Sequence, residues 1–258
     1  MSTVAMRTSN PAFSESIFRQ ASQDLTQSSS VMTVQGAAIK SMFLVGIAVV
    51  TAGFTWTQAL GSAAQGTINA AAFPYVIGGA LGGLVLGLIT CFAPKASPIT
   101  APLYAAAEGL FLGGISAVFE TFYSGVVLQA VGLTVGTLVM LLAVYATGLV
   151  QVTQDFKAGV IAATGGVCLV YLIGFILSLF GMHVPLFGSS LIGIGFSVVV
   201  VIIASLNLVL DFDLISRNAQ LGAPKYMEWY CGYALLVTLV WLYLEILKLL
   251  AKLADRRS

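Results

Sequence analysis

Seven apolar stretches, each long enough to cross a lipid bilayer as a helix, leave this chain little choice of fold. They lie near residues 38–58, 70–93, 99–122, 125–149, 158–181, 187–215 and 227–250. Each meets the window of about 19 residues that a helix needs to span the hydrocarbon core. Inside that core no water satisfies a backbone N–H or C=O, so only helices and closed barrels can cross it. The alternating ten-residue pattern of a barrel strand is absent, as "LIGIGFSVVVVIIASLNLVL" illustrates. The expected fold is therefore an all-α membrane protein, a seven-transmembrane-helix bundle. Composition leads to the same place: 59% of the 258 residues are hydrophobic and 8% charged, against about a quarter charged in soluble domains. Pro94 and Pro98, Gly181 and Pro185, and Gly222 and Pro224 punctuate three of the connections, where helices are expected to stop and restart.

Three segments follow from this pattern. Residues 1–35 read as a polar cytoplasmic tail rich in Ser, Thr and Gln, 36–253 as the seven-span domain, and 254–258 as a short charged C-terminal tail. The first sustained apolar run begins near Ser41, too late for a cleavable signal peptide. Orientation is set by Lys and Arg. Arg7 and Arg19 precede the first span and Lys40 stands at its start, while Lys95, Lys157, Arg217 and Lys225 occupy the second, fourth and sixth connections; the first, third and fifth contain none. That asymmetry predicts a cytoplasmic N-terminus. Seven crossings would then carry Lys252, Arg256 and Arg257 to the far side, so either the short tail translocates or the last element does not fully cross.

Several functions are disfavoured. A net charge of +1 argues against nucleic acid as a partner. Cys91, Cys168 and Cys231 lie singly in apolar surroundings and read as small buried hydrophobes. His183, beside Pro185, reads as a solvated loop residue. No H-E-x-x-H or G-x-S-x-G occurs, so the chain is not expected to be an enzyme, and no cofactor is expected. Small residues recur at helix-facing spacing, at Gly79, Gly83 and Gly87 and again at Gly132 and Gly136. Such rows let backbones approach closely in lipid, here for packing within one chain, as a monomer rather than a dimer.

Carboxylates inside the spans carry the functional signal. Glu108, Glu120, Asp211, Asp213 and Glu245 lie within or at the edge of apolar runs, where a charge costs at least about 2.5 kcal/mol and normally faces a bundle interior or an ion path. Asp213 stands four residues before Arg217 and reads either as a snorkelling ion pair or as functional. Glu120 reads as interfacial, and Glu245 has Lys248 one turn on as a local partner. With about 1.5 Å of rise per residue, Asp211 lies roughly 8 to 15 Å inside and Glu108 roughly 15 Å, so the two could share a level. Two such anions, Asp211 and Glu108, would share a proton, titrate as a coupled pair or hold a cation.

The segments "APLYAAAEGLFLGG", "LNLVLDFDLI" and "EWYCGYALLVTLVWLYLEILKLL", laid on seven spans, resemble the Bax inhibitor-1 family and in particular its bacterial members, over residues 31 to 253. Asp211 with Ile215 matches that family's D-x-x-x-I context in the sixth span, and Glu245 in "LYLEIL" matches the acidic residue of the seventh. The resemblance implies that this pair forms a pH-sensing latch that closes a calcium leak when hydrogen-bonded. Glu replaces the usual Asp here, about 19 residues beyond Tyr226 and so roughly 28 Å along an unbroken helix. Either that helix begins later, near Gly232, or Asp211 pairs with Glu108. The function expected is a pH-sensitive cation leak channel of the inner membrane, gated by Asp211, Glu245, Glu108 and Asp213. The alternative is a non-conducting regulator that binds a membrane quality-control protease or another membrane partner.

Overall fold

A computed structural model describes residues 31–60, 72–150, 152–182 and 185–256. Seven long helices run in order: α1 (Val34–Leu60), α2 (Phe73–Phe92), α3 (Ser97–Phe122), α4 (Val126–Ala146), α5 (Gln154–Leu179), α6 (Leu191–Gln220) and α7 (Met227–Asp255). Short 3-10 turns, Pro94–Ala96 and Pro185–Phe187, precede α3 and α6. All seven are long and apolar enough to cross a membrane. Among the described residues there is no strand, only an isolated bridge between Val31 and Pro224. The chain is a multi-pass, all-helical membrane protein. Arg7 and Arg19 of the tail, His183 and Arg257 lie outside the described residues.

Helix ends follow local chemistry. Pro sits in the first positions of α2 and α3, where its missing N–H has no intrahelical partner to lose. Thr153 caps α5 by accepting from the Phe156 N–H at 3.2 Å, with Asp155 in the positive first turn. Gly222 closes α6 at φ 72°, and the Ala223 N–H reaches back to the Asn218 carbonyl at 3.2 Å. Only glycine adopts that left-handed turn without strain. Consequently α6 runs beyond its apolar stretch to Gln220, through Arg217 and Asn218.

The outside of the protein is apolar. Met42, Val50, Leu81, Phe92, Leu128 and Leu179 are all exposed, as lipid-facing side chains must be. The seventh helix differs. Over its most apolar eighteen residues α7 is 67% buried, against 17 to 39% for the other six. Cys231 on α7 is buried, but Cys91 is half-buried and Cys168 on α5 is exposed; the expectation of three buried thiols fails at Cys168 because α5 turns that face outward.

The helices form two compact units. The first comprises α1, α2, α3, the end of α6 from Asp213 and the start of α7 to Val237. Its close contacts run along glycines. A Cβ on Gly79 would stand 2.6 Å from the Ala107 carbonyl oxygen, one on Gly83 would stand 2.8 Å from Glu108 Oε2, and one on Gly87 would meet Tyr104 and Tyr233. This row of α2 is thus fitted against α3. A second row, Gly109 and Gly113 of α3, meets the α1 backbone at Ala48 and Ala52. By contrast Gly132 and Gly136 of α4 face open space. Their spacing suggested packing within the chain, but a GxxxG row records only that a close approach is possible.

The second unit comprises α4, α5, α6 to Phe212 and α7 from Thr238. Asn207 of α6 donates to Thr164 of α5 at 2.8 Å. Phe187 stacks on Tyr171 with ring centroids 5.6 Å apart and presses against Gly174. Lys252, near the end of α7, donates to the carbonyls of Leu186 at 3.3 Å and Gly193 at 3.1 Å and to the Ser197 hydroxyl at 2.9 Å. That one ammonium holds the α5–α6 connection and the first turns of α6.

Candidate functional site

Of the five carboxylates singled out by sequence, the four expected to gate the leak separate into two kinds. Two are tied up in ion pairs. On α6, Asp213 Oδ2 forms an ion pair with Arg217 Nε at 2.8 Å, one helical turn away, with 35% of the arginine side chain exposed. That geometry is the snorkelling pair the spacing allowed. On α7, Glu245 is 2% exposed and both of its oxygens are taken. Its Oε1 receives Lys248 Nζ at 2.6 Å and Trp241 Nε1 at 3.2 Å, and its Oε2 receives the Tyr171 hydroxyl at 2.8 Å. Lys248 also donates to the Tyr171 hydroxyl at 3.2 Å and lies over that ring, 4.8 Å from its centroid. A buried charge is tolerable when its lone pairs are filled in this way.

The other two carboxylates keep unfilled oxygens. Asp211 is 3% exposed. It is hydrogen-bonded to Thr238 of α7, while its Oδ2 is buried with no hydrogen-bond partner among the described residues. Glu108, half-buried on α3 in the first unit, presses its Oε2 against Gly83 and has no hydrogen bond among the described residues. Tyr104 stands one turn before it, edge-on to Tyr233 at 4.9 Å, and Tyr233 donates to the Gly87 carbonyl at 2.9 Å. Nearer the α2–α3 turn, Thr90 and Thr100 are bonded at 2.8 Å and Ser97 donates to the Tyr226 carbonyl at 3.1 Å. A seam of hydroxyls therefore leads along α3 towards Glu108.

The hydrogen bond that family resemblance implies between Asp211 and Glu245 is absent from the structure. Register explains why. The α7 residue bonded to Asp211 is Thr238, and Glu245 lies seven residues further, two turns or about 10 Å along the axis. Helix α7 begins at Met227 rather than near Gly232, so a late start does not bring the acids level. Glu108 falls in the first unit and Asp211 in the second. No group of three or more His, Cys, Asp or Glu occurs among the described residues. Calcium takes six to eight oxygens, of which Asp211 and Glu108, the expected calcium position, would supply only a part.

Sequence reasoning passed over four participants. Thr238, Tyr171 and Trp241 carry no charge and gave no signal in an apolar run. Glu228 stood at the start of the last span, outside the apolar core being scanned, yet it is 1% exposed.

A family model described as Bax inhibitor 1-like matches residues 10–255. Neither the curated proteins nor the solved structures compared with the chain gave a match. The family match spans all seven helices, including the sixth-span aspartate and seventh-span glutamate that carried the resemblance, and the chain belongs to the Bax inhibitor 1-like family.

Proposed function

We propose that this protein is a non-enzymatic, pH-sensitive cation leak of the inner membrane, with calcium as cargo and a cytoplasmic N-terminus, and that Asp211 is its switch. One observation carries the reading: a buried carboxylate inside a membrane helix, Asp211, whose Oδ2 has no hydrogen-bond partner among the described residues. An ionised oxygen without donors in a low-dielectric interior is costly, and a proton removes that cost by neutralising the charge. Protonated, Asp211 is compatible with the close packing of α6 on α7 through Thr238. Deprotonated, it must recruit water or a cation, and the helices separate to admit one. The sign follows: leak is low at acid pH and rises as pH rises through the titration. Glu108, at the end of its hydroxyl seam, serves as a waypoint for the cation. Glu245 and Asp213, already neutralised by Lys248 and Arg217, are fixed points of the frame.

Calcium flux into liposomes holding the purified protein, measured from pH 5 to 8, tests this reading. A flux that climbs with pH supports it. A flat, protein-independent baseline, together with a stoichiometric membrane partner such as a protease in pull-downs, supports the non-conducting regulator instead. A monomer suffices for the proposed pathway.

A further inference from the structure

Glu228 has no part in the proposed switch, yet it is 1% exposed. In the first unit it accepts from the Thr33 N–H at 3.0 Å, the Thr33 hydroxyl at 3.1 Å and Lys225 Nζ at 2.8 Å. Gly36, on the first turn of α1, leaves no room for a Cβ beside this carboxylate. The contact continues along the chain. Met32 is 2% exposed and donates its N–H to the Ala223 carbonyl at 2.7 Å, and Val31 bridges to Pro224. Residues 31–33 were expected to belong to a polar tail, but they are laid along the α6–α7 connection. Thr33 has a second duty: its hydroxyl oxygen accepts from the Gly36 N–H at 2.9 Å and so caps α1. One side chain thus starts the first helix and fastens it to the start of the last.

We infer that residues 31–36 form a strap buckled by Glu228, and that opening this strap frees the α6–α7 connection and the first turns of α7. The groups facing Glu228 are Thr33 and Gly36 from the strap and α1, and Lys225 from the connection. Lys225 is half exposed and Thr33 is exposed as well, whereas the carboxylate they hold is buried. A displacement of residues 31–33 is therefore passed directly to Glu228 at the start of α7.

Charge separates this proposal from simple packing. Thr33→Asp keeps an acceptor for the Gly36 N–H, since Asp caps helices as well as Thr does. It also sets a second carboxylate against Glu228. Adding Glu228→Gln removes the repulsion and supplies an amide donor. In the full-length protein in lipid nanodiscs, hydrogen exchange of peptides covering 31–40 and 223–235 is expected to rise several-fold in Thr33→Asp. It should return to near wild type in Thr33→Asp/Glu228→Gln, with α4 and α5 peptides unchanged throughout. Val31→Cys and Pro224→Cys, with Cys91, Cys168 and Cys231 changed to Ala, place two thiols at a bridge pair whose Cα atoms are about 4.5–5.5 Å apart, within disulfide reach. Oxidising that pair should erase the effect of Thr33→Asp on the 223–235 peptide. Unchanged exchange at 223–235 in Thr33→Asp, failure of the double variant to rescue, or a persisting rise in the oxidised protein would each overturn the strap. None of these readouts needs ion flux, so absence of flux in the wild type counts against the leak alone.

Discussion

Asp211 and Glu245 are two acids in one unit, both buried to within 3% of complete and both engaged with α7, yet the structure treats them oppositely. Glu245 accepts three hydrogen bonds and has a lysine ion pair. Asp211 has a threonine and a bare oxygen. Depth in a membrane does not by itself make a carboxylate a switch. What matters is whether the charged form already has everything it needs. The Glu245 carboxylate already has its donors, whereas that of Asp211 leaves one oxygen without any among the described residues, and the proposed switch rests on that difference.

The largest expected effect comes from Asp211→Asn. The amide keeps the shape and can still bond Thr238 but cannot ionise. Calcium flux should stay at its acid-pH level up to pH 8, where the wild type, titrating one proton, changes by at most about tenfold per pH unit. Glu108→Gln comes next: flux should fall several-fold at every pH with the shape of the profile unchanged, because a waypoint is weakened and no switch is removed. Glu245→Gln should do the reverse, leaving the pH profile intact while lowering the thermal unfolding midpoint by the equivalent of about 1–3 kcal/mol for a lost charged hydrogen-bond set. That stays below the roughly 3–5 kcal/mol of a fully buried pair because Lys248, 39% exposed, can turn to water. Smallest is Arg217→Gln, which breaks the Asp213 pair at a half-exposed site and should cost about 0.2–1 kcal/mol with no change in flux.

The bundle was legible because hydrophobic runs of spanning length have one solution in lipid. Helix number and order match the expectation, and the boundaries drift where polar residues extend a helix, as at Arg217 to Gln220. The local ion pairs were legible too, since Asp213 with Arg217 and Glu245 with Lys248 follow from helical spacing alone. What sequence could not give is the register between α6 and α7, which decides that Asp211 meets Thr238 rather than Glu245. Two helices can slide by a turn without any change in their apolar patterns. The same blindness let Gly132 and Gly136 resemble Gly79, Gly83 and Gly87, although only the latter row has a helix against it. Glu228 escaped because its value lies in a partner 195 residues away.

Infrared difference spectroscopy of the protonated-carboxyl band in lipid, stepping pH between 5 and 8, decides between Asp211 and Glu245 as the switch. With Asp211 as the switch, a band should appear on acidification of the wild type in step with the fall in calcium flux. It should vanish in Asp211→Asn and persist in Glu245→Gln. A band that survives Asp211→Asn and disappears with Glu245→Gln would contradict it, placing the switch on the acid whose oxygens are already filled.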